Sequence, residues 1–91
     1  MKFEWDENKR KLNIQKHGID FEDAKRVFEG ITLTFQDNRF NYGEQRFVTM
    51  GLLYEIVIVI AHTEIDEIIR IISIRKATKN EQKLFFKKLE Y

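Results

Sequence analysis

Arg70-Ile71-Ile72-Ser73-Ile74-Arg75-Lys76-Ala77-Thr78 decides how this chain folds. The stretch closes the most apolar part of the sequence and opens the last helix. Its isoleucines specify a strand. Thr78, with Glu81 three residues later, is a capping box that starts a helix directly after it. Three cations, Arg70, Arg75 and Lys76, interrupt the isoleucines. A strand of that kind is poor core and good anion-binding surface. Strict alternation sends Arg70, Ile72, Ile74 and Lys76 to one face and Ile71, Ser73 and Arg75 to the other. Arg70 and Arg75 share a face only if a bulge or the strand end turns one of them.

Outward from this strand, the acidic turn Glu64-Ile65-Asp66-Glu67 leads back to a strand over 55–63. There Ile56 to Ile60 are apolar at every position. Such a strand is covered on both faces, or is covered by another chain. A turn near Gly51 to Tyr54 precedes it. On the strand before that, Arg46, Val48 and Met50 oppose Gln45, Phe47 and Thr49. Residues 38–43 are rich in turn formers and read as a hairpin loop, and residues 31–37 alternate with a period of two. Short connections make these four strands an antiparallel meander.

Toward the N-terminus, Lys2 to Trp5 alternates as a short strand. Asp6 caps a helix running to about Lys16, and Gly18 ends it. Only Leu12 and Ile14 are strongly apolar there, so that helix is mostly exposed. Asp20 caps a second helix over 21–29, with Phe21, Ala24, Val27 and Phe28 on one side. A connection this short predicts a tight helical hairpin. In the last helix Leu84, Phe85 and Leu89 form the apolar stripe, and Lys79, Lys83, Lys87 and Lys88 the cationic surface. The expected fold is α+β: two N-terminal helices packed on a curved antiparallel sheet of four to five strands, then a C-terminal helix. Residues 1–91 read as one small domain.

Composition narrows the function. The chain has 91 residues and no Cys, so thiolate metal sites and thiol nucleophiles are excluded. The four glycines are isolated, which leaves no phosphate-cradling loop. His17 and His62 sit in different elements, and no ligand spacing suggests a metal or other cofactor. Ile56 to Ala61 is too short to span a bilayer and the N-terminus has no apolar signal region, so a cytoplasmic protein without a membrane partner is expected. Charge is uneven. Residues 1–30 carry seven basic and seven acidic side chains, residues 31–69 two and six, and residues 70–91 seven and two. The last strand and helix therefore carry a net +5, against −4 for the middle.

Guanidinium groups suit phosphate because they stay charged and donate two parallel hydrogen bonds. Arg70 and Arg75 read equally as rim ion pairs with Glu44, Glu55 or Glu67. His62 shares a face with Ile56, Ile58 and Ile60 and is a candidate neighbour of Arg70. His17 reads as a helix-end cation or as a proton donor or base. Trp5 reads as core or as a stacking platform. Tyr91 adds a terminal phenol.

Phe3-x-Trp5-Asp6-x-x-Lys9-x-x-x-Asn13-x-x-Lys16-His17-Gly18-Ile19-x-Phe21-x-x-Ala24 resembles the N-terminal signature of the BrnT family. Phe28, Gly43-Glu44-x-Arg46, Gly51 and Arg70-Ile71-Ile72-Ser73-x-Arg75-Lys76-Ala77 with Glu81 continue the resemblance in order. Ile74 departs from it, where a small residue is expected. The resemblance implies a RelE-like fold and a toxin of a type II toxin–antitoxin pair. It implies a ribonuclease that blocks translation and is neutralised by a BrnA-like antitoxin, whose ribbon-helix-helix part binds operator DNA. On that reading cleavage needs no metal. Arg70 and Arg75 stabilise phosphate, with Arg46 as a third candidate. His17 is the acid or base, with Glu44 behind it. Lys9, Lys76 and His62 hold RNA. The alternative is a non-catalytic interaction module, or an inactive toxin relative that binds its antitoxin and acts in operator autoregulation.

Overall fold

In the computed structural model, residues 1–39 and 43–90 are described. The expected 38–43 loop lies partly outside these residues, and Tyr91 lies wholly outside. Chain order is β1 (Lys2–Glu4), α1 (Glu7–His17), a 3-10 turn (Phe21–Asp23), α2 (Ala24–Phe28), β2 (Thr32–Asp37), β3 (Arg46–Leu53), β4 (Ile56–Ile65), β5 (Ile68–Lys76) and α3 (Lys79–Leu89). The sheet order is β1-β5-β4-β3-β2. β2 to β5 form the expected antiparallel meander, but β1 runs parallel to β5, so the sheet is mixed. The helices after β1 carry the chain across to the far edge, which leaves β1 lying beside the last strand in the same direction.

Residues 57–60 of β4 are apolar without alternation because the chain covers both faces of the strand there. Ile58 and Ile60 pack with Ile69, Ile71, Ile74, Phe21, Ala24 and Val27 on one side. Val57 and Val59 pack with Met50, Ala77 and Phe85 of α3 on the other. No second chain is needed to explain the burial of 57–60. Each buried aliphatic side chain contributes about 1.5–3 kcal/mol relative to exposure, so this central strand dominates the core.

Local signals place the helices. The Asp6 side chain accepts from the backbone N–H of Asn8 and Lys9, and Gly18 closes α1 at φ 71. The left-handed conformation at that position favours glycine. Thr78 and Glu81 form the complete capping box of α3. The second helix is shorter than expected: one 3-10 turn and then five residues. Gly51 lies inside β3, opposite Ile58 and Thr32, rather than in the turn expected near it. A Cβ there would come within 2.6 Å of Val27 Cγ1, so the glycine lets α2 approach the sheet. The β3–β4 turn falls at Tyr54, whose φ is 57.

α1 is held by a polar group. Leu12 is 62 % exposed, whereas Asn13 is buried. β1 pairs β5 only as far as Arg70, leaving the later edge of β5 uncovered. Asn13 fills that gap. Its Nδ2 donates to the carbonyls of Ile74 and Ile19, both at 2.9 Å, and its Oδ1 accepts from the Ile74 N–H at 3.1 Å. The side-chain amide thus supplies what the next strand would have supplied.

Candidate nucleic-acid interface

The strand that looked split is reunited by a bulge. On β5, Ile71 faces His62 while Ser73 faces Ala61, so Ile72 is an extra residue. The extra residue reverses the alternation. Ile69, Ile71 and Ile74 all enter the core below the sheet. Arg70, Ser73 and Arg75 stand opposite Thr63, Ala61 and Val59, which share the other face. The expectation that Arg70 and Arg75 oppose one another is corrected by this register shift. Its signal was weak in the sequence, because isoleucine occupies both parities.

α3 covers one half of that face through Phe85. The other half is open, and four arginines approach it, each met by a carboxylate. Arg70 Nη1 donates to Glu4 Oε2 at 2.6 Å. Arg75 donates to both Glu81 oxygens, at 2.7 and 2.9 Å. Arg46 lies 3.5 Å from Glu44. Arg39 donates to both oxygens of Asp37, at 2.9 and 3.1 Å. Ion pairing is thus present, but with Glu4 and Glu81 in place of the expected rim partners of Arg70 and Arg75. The Arg75 guanidinium, followed by burial and the Thr78 cap, sets the Glu81 carboxyl; the net effect lowers it to about 2. The same hydrogen bonds raise Arg75 above its ordinary value.

Four depressions map the predicted residues. Arg70 and Glu44 line one together with Glu4 and Thr63. Ser73 and Arg75 line a second, of about 170 Å³, with Arg39 and Glu81. His17, Arg75 and Lys76 line a third at the β5 edge, with Lys16 and Thr78. Lys9 joins His17 and Ser73 on the α1 side of the same edge. Arg75 therefore joins the open face to the edge where His17 sits. Arg70 is roughly 15 Å away along the strand. As held by Glu4 and Glu81, the two arginines are directed to different partners and do not form one cradle.

His62 is a correction. It is 1 % exposed, on the core side of the sheet. Its ring stacks on Phe47 and meets Phe28 edge-on, and Nε2 lies 2.7 Å from the Thr49 hydroxyl. Burial lowers its pKa. A surface role beside Arg70 does not survive that placement. Trp5 packs edge-on to Phe21 and donates to Glu7, which fits the core reading. Ser73 and Arg39 were missed as site residues. The reversed alternation exposes the first, and only tertiary contacts bring the second beside Arg75.

The two arms of the sequence signature, Trp5 to Ala24 and Arg70 to Ala77, thus meet along one edge through Asn13, His17, Ile74 and Arg75. A family model described as "Ribonuclease toxin, BrnT, of type II toxin-antitoxin system" matches residues 5–81. The chain belongs to the BrnT family of ribonuclease toxins. No curated protein matches it. In this BrnT-family chain no helix among the described residues is long and apolar enough to cross a membrane. Nor do three or more His, Asp or Glu side chains gather as metal ligands among those residues.

Proposed function

We propose that the chain is an endoribonuclease toxin of RelE-like fold that cleaves RNA, inhibits translation and is neutralised by a BrnA-like antitoxin. The observation that carries this reading is the convergence of His17, Ser73, Arg75 and Lys76 at the β5 edge. The reaction is attack of a ribose 2′-oxygen on the adjacent phosphorus. The O2′–P bond forms and the P–O5′ bond breaks, leaving a 2′,3′-cyclic phosphate and a 5′-hydroxyl. A base takes the 2′-hydroxyl proton, and an acid protonates the departing 5′-oxygen. Arg75 stabilises the charge that builds on the phosphoryl oxygens, and His17 serves as acid or base. Arg70 and Arg46, with Glu44 beside them, engage the strand further along the open face. Lys9 and Lys76 hold its backbone. The side chains carry every step, so cleavage proceeds in a chelator.

The test is cleavage of single-stranded RNA in EDTA by wild type, His17→Ala, Arg70→Ala and Arg75→Lys. Cyclic-phosphate ends are expected from wild type. Losses of about 10²-fold are expected for His17→Ala and Arg75→Lys. Undiminished cleavage by a variant removes that residue from the mechanism. The antitoxin-binding, non-catalytic reading takes its support from the carboxylate on each open-face arginine. It predicts tight RNA or antitoxin binding with no strand scission.

A further inference from the structure

The outer face of α3 combines two features that the cleavage site does not use. Phe86 is 47 % exposed, although the neighbouring Phe85 is completely buried. The Phe85 ring meets it edge-on, with centroids 5.4 Å apart at 74°. Phe86 is thus an exposed ring backed by a fixed one. It lies in an open groove with Lys79, Gln82, Lys83, Lys87 and Glu90. Lys79, Lys83 and Lys87 recur every four residues, so they rise about 6 Å apart along the helix. None of these lysines forms an ion pair among the described residues. Glu81, the acid of the first turn, is committed to Arg75 and Thr78. Lys83, Phe86 and Lys87 also lie beyond the family-matched residues 5–81.

We propose that this face of α3 is a docking track for single-stranded RNA extending past the cleavage site, with one base stacked on Phe86 and phosphates on Lys79, Lys83 and Lys87. The proposal takes its ligand class from the ribonuclease reading. Continuity supports it. Lys76 and Thr78 line the depression that holds His17 and Arg75, and Lys79 follows directly at the head of the groove. The groove on α3 therefore starts one residue after the depression at the proposed reaction centre ends, and its lysines continue along the helix. The shape supports RNA over an acidic protein helix. Such a helix needs a row of apolar sockets. Here one flat ring stands between cations, which matches the alternation of base and phosphate in a single strand.

The experiment uses 2′-O-methyl oligonucleotides, which cannot be cleaved, of about four and about twelve nucleotides, spanning the site sizes typical of single-strand binders. Fluorescence anisotropy compares wild type, Phe86→Ala and Lys83→Gln/Lys87→Gln, with circular dichroism confirming the fold of each. Wild type is expected to bind the longer strand at least about tenfold more tightly. Each variant is expected to lose most of that gain while binding the short strand as wild type does. Equal binding of the longer strand by variants and wild type overturns the track. So do variants that weaken only the antitoxin complex, which would make this face a protein-docking surface. A parallel cleavage assay on unmodified RNA separates the two readings. Length-dependent binding without cleavage supports the track and removes the ribonuclease reading.

Discussion

Two titrating side chains make opposite kinds of statement about this molecule. Glu81 belongs to the surface of the site, and its carboxyl is held down to about 2, chiefly by the Arg75 hydrogen bonds. A depressed carboxyl stabilises the fold above its unfolded value of about 4.5, and that stability fades as the pH falls toward 2. Glu81→Gln keeps a capping side chain but loses the charge. It is expected to cost about 1–2 kcal/mol near neutrality, the range for a partly exposed charge-assisted pair. Urea unfolding of the two proteins should show that difference shrinking as the buffer is acidified. His62 belongs to the core. Burial lowers its pKa, so the folded state prefers the neutral ring and stability falls as the pH drops below about 6.5. His62→Phe keeps the aromatic contacts with Phe28 and Phe47 and removes the proton. The variant should lose less stability than wild type between about pH 7 and pH 5. An identical slope in both proteins would place the acid sensitivity elsewhere.

At the scale of elements, what could be read from the sequence depended on the span of the signal. The caps at Asp6, Gly18 and Thr78 act over a few residues, and all three stand where the sequence puts them. The doubly apolar β4 was legible as a buried strand, but not which elements cover it. Asn13 was not legible as structure at all. Its partner Ile74 is 61 residues away, and nothing local marks an asparagine that will replace a strand. The bulge at Ile72 was hidden for a similar reason, because Ile71, Ile72 and Ile74 give no polar residue to show the change of face. Asn13 is therefore the sharpest test of how α1 is attached. Asn13→Ala leaves the Ile74 N–H and carbonyl without their side-chain partner at a buried edge. The expected cost is about 2–4 kcal/mol, since each unmet buried group costs about 1–3 kcal/mol. Hydrogen exchange should show the Ile74 amide losing protection along with α1. Destabilisation below about 0.5 kcal/mol would mean that α1 is held mainly by other contacts.

At the scale of the whole molecule, the uneven charge seen in the sequence resolves into a neutralised floor and a cationic rim. Glu4, Asp37, Glu44 and Glu81 meet Arg70, Arg39, Arg46 and Arg75 across the open sheet face. Lys9 and Lys16 of α1 lie at its β5 edge, and Lys79, Lys83 and Lys87 line a groove on α3. Sequence could report the excess charge of residues 70–91, but not the pairing. Arg70 and Glu4 are 66 residues apart and become neighbours only through the parallel β1–β5 contact. A pair with side chains 50 % and 47 % exposed is worth about 1 kcal/mol or less. A phosphate can therefore displace Glu4 from Arg70 at little cost. On the proposed function, Glu4→Gln should strengthen RNA binding about two- to fivefold at low salt, by removing that competitor. Arg70→Ala should weaken it. The double variant should match Arg70→Ala alone, because Glu4 has nothing left to compete for. The dependence on salt supplies an independent reading. Losing one phosphate contact flattens the plot of log affinity against log salt by about 0.7 for a single strand. Arg70→Ala should show that flattening, while Glu4→Gln should show a slope at least as steep as wild type. If Glu4→Gln binds no better and the double variant is worse than either single one, the glutamate is holding Arg70 in place for RNA instead of competing with it.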